Sequence, residues 1–202
     1  MIYKLQTPLS ESDIRKLRIG DVVYLTGTIV TGRDDVHHRV VRQNKKPDID
    51  LNGMAIFHAG PIMKQNDDGT YKVVSVGPTT SMRMEQAQAE FLTKTGCRMI
   101  IGKGGMGPST TKACQDFGAV HTIYPGGCAV IAAEKVTKTT GVEWLDLGMP
   151  EAMWILEAEE FGPLIVSIDT LGQNLIDNNK KIFNEKKDRI VKEISENLDF
   201  LE

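Results

Sequence analysis

The chain has 202 residues, 24 of them Lys or Arg and 27 Asp or Glu, for a formal net charge of −3. At about 100–200 residues per domain, that length holds one domain and at most a small appendage, and 41% hydrophobic with 25% charged residues is the composition of a globular core with a wet surface. The charge balance supplies no broad basic field for nucleic acid, and no run nears the roughly 20 apolar residues of a bilayer span.

The first residues, MIYKLQTPLSESDIRKL, lack the apolar run and small-residue cleavage site of a secretory signal, which points to the cytoplasm. Ser10, with Asp13 three residues on, predicts a short helix start over ESDIRKL. Gly20-Asp21 turns the chain into VVYLTGTIV, a β-branched strand that stops at Thr31-Gly32. Asp34 and Asp35 then stand where a helix favours negative charge, and the helix is expected over about 34–43. NKKPDIDLNG is a polar loop and GMAIFHAGPIM a short apolar strand. Asn66-Asp67-Asp68-Gly69 is a hairpin turn leading into YKVVSV. GPTTS leads into the helix MRMEQAQAEFLTKTG, closed by Gly96.

CRMII reads as a strand buried on both faces, followed by the glycine-rich loop GKGGMGP. Ser109 or Thr110 is placed to cap the helix TTKACQDF, which Gly118 ends. AVHTIY is a further strand, closed by Pro125-Gly126-Gly127. CAVIAAEKV fits helix or strand, because periodicity does not decide nine residues. VEWLDLGMPEAMWILEAEEFGPLIVSID reads as strand, helix, strand. Beyond residue 180, Phe183, Ile190, Ile194, Leu198 and Leu201 mark an amphipathic helix, a frayed end or an oligomer contact. Two units result, a domain over 1–178 and a charged helical tail over 179–202. A hairpin beside strand–helix–strand units implies an α/β fold with mixed parallel and antiparallel strands.

Three loops follow strands and set a cation or hydroxyl beside glycine: Thr31-Gly32-Arg33-Asp34, Gly77-Pro78-Thr79-Thr80-Ser81-Met82-Arg83, and Gly102-Lys103-Gly104-Gly105-Met106-Gly107. Strand ends that enter helix N-termini are common anion sites, because free N–H groups and the positive helix end point there. Arg33, Arg83 and Lys103 add three cations, and Thr79, four residues before Arg83, would share a face with it on a helix. The third loop also matches G-x-G-x-x-G, but the next strand ends without an acidic residue for a ribose, and Pro108 follows the last glycine. His37, His38, His58 and His121 show no metal-ligand spacing. Cys97, Cys114 and Cys128 read as buried thiols, although three thiolates are enough for an iron–sulfur cluster with one open iron. Met149-Pro150-Glu151-Ala152-Met153-Trp154 reads as core filler.

The strings TGRD, VGPTTSMRM, IGKGGMG, YPGGCAV and EWLDLGMPEAMW, in that order over residues 1–178, resemble the C-terminal region, or separate β subunit, of class I fumarases and L-tartrate dehydratases. The resemblance implies a swivelling β/β/α domain and an iron–sulfur hydro-lyase acting on a C4 dicarboxylate, with fumarate and L-malate as the first expectation and L-tartrate as the alternative. It implies that the [4Fe–4S] cluster is held by a partner α subunit and that this chain supplies no cluster or metal ligand. It places Arg33, Arg83 and Lys103 around the substrate and makes Thr79 the candidate for proton transfer at carbon. Contact between β chains is also expected. A nucleotide-binding module built on the 102–107 loop is the competing reading.

Overall fold

Short β-branched and aliphatic runs become strands, and the polar glycine-bearing stretches between them become turns. The computed structural model describes residues 1–196. Strand β1 (Ile2–Gln6) is followed by helix α1 (Glu11–Ile14), strand β2 (Val22–Thr31) and helix α2 (Asp34–Val41). Ser10 caps α1 as its spacing predicts, its Oγ accepting the Asp13 N–H at 3.1 Å. Strand β3 (Ala55–Phe57) precedes a hairpin of β4 (Ile62–Gln65) and β5 (Tyr71–Ser75) around the Asn66–Gly69 turn, where Gly69 supplies φ +83°. A 3-10 turn at Ser81–Met84 enters α3 (Glu85–Thr95), which Gly96 ends in the left-handed conformation.

Strand β6 (Met99–Gly102), α4 (Pro108–Phe117) and β7 (Val120–Ile123) follow. The undecided apolar nonapeptide forms α5 (Ala129–Glu134) and leads into β8 (Val136–Glu143). A 16-residue strand, β9 (Met153–Ile168), and a 22-residue helix, α6 (Leu175–Glu196), complete the described chain.

Strands β2, β3, β6 and β7 are parallel neighbours in that order. Strand β9 runs antiparallel to both β7 and β2, so the five strands close into a ring. Strands β1 and β8 extend it at the sides. The mixture of parallel and antiparallel pairing follows the sequence expectation.

Period-two alternation splits the ring strands between two cores. Phe57, Ile101, Trp154, Leu156 and Phe161 face one, and Ile56, Ile100, Met153 and Ile168 face the other, against α2, α3 and α4. A strand buried on both faces reads as an unbroken apolar run, and CRMII is one. No helix among the described residues is long and apolar enough to cross a membrane.

The sequence reading and the structure differ at four points. The helix expected within 142–169 is strand: Trp154, Leu156 and Ala158 point inward, alternating with Ile155 and Glu157. Pairing with β2 and β8 overrides the helix-forming Glu, Ala and Met. β1 gave no clear signal, because only Tyr3 and Leu5 face the core on this edge strand. The N-cap of α4 is Gly107, not Ser109 or Thr110, and its free N–H groups find a partner elsewhere. The C-terminal helix begins at Leu175, five residues before the composition changes. Leu198 and Leu201 of the expected apolar stripe lie outside the described residues.

Candidate active site

The carboxyl ends of β2, β3 and β6 lie side by side, and their loops meet there. That edge is where parallel α/β sheets commonly hold ligands. The Gly32 N–H donates to the Phe57 carbonyl at 2.9 Å, and the His58 N–H donates to the Ile101 carbonyl at 2.8 Å. The segment after β5 joins as an extra rung. The Thr79 N–H donates to the His58 carbonyl at 2.6 Å, the Lys103 N–H to the Thr79 carbonyl at 3.0 Å, and the Ser81 N–H to the Lys103 carbonyl at 3.0 Å. Main-chain bonds thus bring the Thr79 and Lys103 loops together.

Side chains add the Arg33 loop. Arg83 pairs through Nη2 with Asp34 at 2.6 Å, and its Nη1 lies 3.4 Å from Thr79 Oγ1. Arg33 forms an ion pair with Glu151, whose other oxygen accepts the Asp35 N–H at 3.3 Å. Thr31 holds Glu151 in reach: its buried hydroxyl donates to the Ala152 carbonyl and accepts the Trp154 N–H at 3.0 Å. Gly60 leaves room for Arg33, since a Cβ there would lie 2.5 Å from its Nη1. The exposed Lys103 side chain runs past Gly126 and has no ion pair among the described residues.

The structure therefore assembles Arg33, Thr79, Arg83 and Lys103 at one edge. Sequence reasoning missed the two carboxylates. Glu151, inside the presumed core filler, orients Arg33, and Asp34 orients Arg83. Three cations against these two acids leave one positive charge over, and each guanidinium keeps further N–H donors for a bidentate anion. Asp34 and Arg83 also border a cleft of about 150 Å³ with His37, His38 and Arg42.

The fingerprint glycines Gly102, Gly104 and Gly107 each have a steric or conformational reason that involves no phosphate. A Cβ on Gly102 would overlap the Ser81 hydroxyl and sit 3.2 Å from His58 Nδ1, and Gly104 holds φ +76°. A Cβ on Gly107 would lie 2.7 Å from Glu85 Oε1. Glu85 occupies the anion position itself: it accepts the N–H groups of Gly107 (2.8 Å), Ser109 (3.0 Å) and Thr110 (3.2 Å) and the Thr110 hydroxyl (2.7 Å). The positive end of α4 is already neutralised, so this loop does not present the phosphate cradle of a nucleotide fingerprint.

Beneath the loops runs a buried polar chain. His37 Nδ1 meets the Arg33 carbonyl at 2.8 Å, and the Nε2 atoms of His37 and His58 meet the Gln88 amide at 3.1 and 3.0 Å. His58 Nδ1 and His121 Nε2 each lie 3.0 Å from Ser81 Oγ, and His121 Nδ1 lies 2.5 Å from Ser167 Oγ. Burial pushes all three imidazoles below their ordinary range, His121 to about 3. His58 and His121 are thus satisfied core histidines, and His38 is exposed.

Cys97 and Cys114 are buried, which pushes both thiols up, Cys97 to about 12. Such groups resist becoming the thiolates that bind iron. No three His, Cys, Asp or Glu among the described residues are placed to hold a metal ion. Cys128 is half-buried, and the cysteines of the described residues do not fit an iron–sulfur cluster.

Residues 2–179 match the model of the fumarase C-terminus family. The chain is 53% identical to the L(+)-tartrate dehydratase subunit beta of Escherichia coli K12 over 197 residues, 98% of each chain. It is 44% identical to a putative L(+)-tartrate dehydratase subunit beta of Methanocaldococcus jannaschii, over 91% of this chain and 95% of that one. It is 40% identical to a putative class I fumarate hydratase of Geobacillus stearothermophilus, over 92% of this chain and 35% of that protein.

Proposed function

Because this chain belongs to the fumarase C-terminus family, we propose that it is the β subunit of an iron–sulfur hydro-lyase that adds water to, or removes it from, a C4 dicarboxylate. The observation that carries the reading is the meeting of Arg33, Thr79, Arg83 and Lys103 at the carboxyl ends of β2, β3 and β6. Two arginines and a lysine suit a ligand with a carboxylate at each end. Each arginine is held by an acid beforehand, so binding costs little side-chain entropy. Thr79 is the hydroxyl nearest that charge and the group proposed to move a proton at carbon. A threonine hydroxyl serves only if its pKa is lowered or its proton delocalised, and Arg83 beside it favours the oxyanion.

The cluster belongs, in this reading, to a cytoplasmic α subunit that docks over the loops. Full-length relatives that carry the name subunit beta support such a partner. The ring of mixed strands with helices against it suits a swivelling β/β/α domain that closes on that partner. Fumarate and L-malate are the first substrates to test. L-tartrate is favoured by one specific observation: the relatives at 53% and 44% identity are named for it, whereas the relative named for fumarate is 40% identical.

The test is co-expression with the α subunit under anaerobic conditions, followed by assays on fumarate, L-malate and L-tartrate side by side. A brown, oxygen-sensitive complex active on at least one of them is expected, together with a colourless, inactive lone chain. A lone chain that binds iron, or a complex inactive on all three, overturns the assignment.

A further inference from the structure

The buried chain under the loops has a direction that follows from simple donor counting. The Arg33 carbonyl only accepts, so His37 must donate to it from Nδ1. A neutral His37 then carries no proton on Nε2, which needs a donor facing it. With Oε1 of Gln88 between the two imidazoles, that pair has no proton, and Gln88 Nε2 is buried without a partner. Turning the amide over supplies the missing proton and leaves Oε1, not a two-proton donor, at the position without a partner. The two protons of its NH2 group then serve the two ring nitrogens, 3.1 and 3.0 Å away. His58, accepting at Nε2, donates from Nδ1 to Ser81 Oγ. Ser81 passes its own proton to His121 Nε2, and His121 donates from Nδ1 to Ser167 Oγ. Ser167 ends the chain on the His121 carbonyl at 3.3 Å. Every side chain has one consistent role, and all three histidines are neutral Nδ1–H tautomers. Burial supports this, since it disfavours the charged form of each ring.

The chain is attached to the loops at two places. One end grips the main chain of Arg33. In the middle, His58 holds the Thr79–Ser81 segment twice, by its carbonyl to the Thr79 N–H and by its ring to the Ser81 hydroxyl. Gln88 is the hydrogen-bonded link between these grips: among the described residues it alone bonds to both His37 and His58, whose rings also meet edge-on at 5.2 Å.

We propose that Gln88 is a positioning residue of the active site: its amide NH2, donated to His37 and His58, fixes the Arg33 loop and the Thr79 segment in common register. The proposal rests on the assignment of Arg33 and Thr79 to the substrate site, and its test separates the two.

The full chain, with histidine labelled by 15N and bound to its α subunit, is examined at neutral pH by two-bond 1H–15N correlation. His37, His58 and His121 should each show a protonated Nδ1 and a bare Nε2. A proton on Nε2 of His37 or His58 would put Oε1 between the rings and overturn the proposal. Gln88→Glu offers acceptors only at nearly the same shape, and should move a proton onto Nε2 of His37 or His58. An unchanged tautomer pattern in that variant overturns the proposal as well. Gln88→Leu removes both donors and should lower kcat/KM by about tenfold to a hundredfold, the scale of a small misplacement of reacting groups. A folded Gln88→Leu complex with unchanged kcat/KM overturns it too. Should that variant not fold, the tautomers of the wild type and of Gln88→Glu still decide. A wild-type complex inactive on all three substrates instead sinks the functional assignment and leaves the tautomer result standing.

Discussion

Arg33 and Arg83 are each paired with an acid, Glu151 and Asp34, whereas Lys103 has no ion pair among the described residues. Replacing any of the three by alanine in the α/β complex should cut turnover at least about a hundredfold, the usual loss when one preorganised contact to developing charge is removed. Unchanged melting would show that the fold is intact. Glu151→Gln should lower activity less than Arg33→Ala, because it disturbs only the orientation of Arg33 and keeps its charge; steady-state kinetics on both variants read the difference. Protonation gives a second prediction. The unfolded chain protonates each imidazole near pH 6.5, while burial holds the folded rings neutral to lower pH, about 3 for His121. The folded state therefore binds fewer protons below pH 6.5. The contribution of these rings to stability is complete above that pH and should fall as pH drops below 6.5, for His121 down to about 3, by up to about 1.4 kcal/mol per pH unit for a ring that stays neutral in the fold. Urea unfolding across that range measures the slope, and a flat profile would contradict neutral buried rings.

At the scale of elements, the strand ends and helix starts decide what the glycine-rich loop does. Glu85, on the first turn of α3, caps α4 with four hydrogen bonds and ties the two helices together. Glu85→Ala should destabilise by about 1–3 kcal/mol, since several buried N–H groups lose their acceptor at once. Chemical denaturation reads this directly. Gly102→Ala is expected to cost about 1–3 kcal/mol by overpacking, because its methyl would displace Ser81 from between two histidines. If that variant is as stable as the wild type, the close approach of β6 to Ser81 is wrong. Neither residue touches a nucleotide in this account, so NAD and ATP should leave the melting temperature unchanged.

Over the whole molecule, the ring of β2, β3, β6, β7 and β9 places three loops on one edge, and the C-terminal helix leaves it. Helix α6 has no buried residue, and Ile182, Phe183, Ile190, Val191 and Ile194 on it are 45–63% exposed. Its first turns are half-buried, with Ile176 against Gly105, and every residue from Lys180 to Glu196 is exposed. The sequence division at 178/179 into a domain and a tail is therefore our proposed boundary. A chain ended after Lys180 should keep its stability within about 0.5 kcal/mol, as for changes away from any core contact. Size-exclusion chromatography of the same variant tests contact between β chains: a smaller species than the full chain is expected if the tail holds two copies together.

Sequence alone determined the local and the chemical facts. Ser10, Gly96 and Gly118 mark helix ends, unbroken apolar runs mark strands buried on both faces, and Arg33, Thr79, Arg83 and Lys103 stand out as polar residues in strand-end loops. These are readable because caps, periods and turn residues act within a few positions of the chain. What the tertiary structure decided depends on partners far apart in sequence. The segment after Pro150 is strand because β2 and β8 supply its hydrogen bonds. Glu151 matters because Thr31 brings it to Arg33 across 118 residues. Of the fingerprint glycines, Gly102 serves Ser81 and Gly107 serves Glu85, and five of the six links in the buried polar chain span more than 20 residues. Long-range pairing and burial, which no short window of sequence contains, turned separate polar loops into one site with its own internal support.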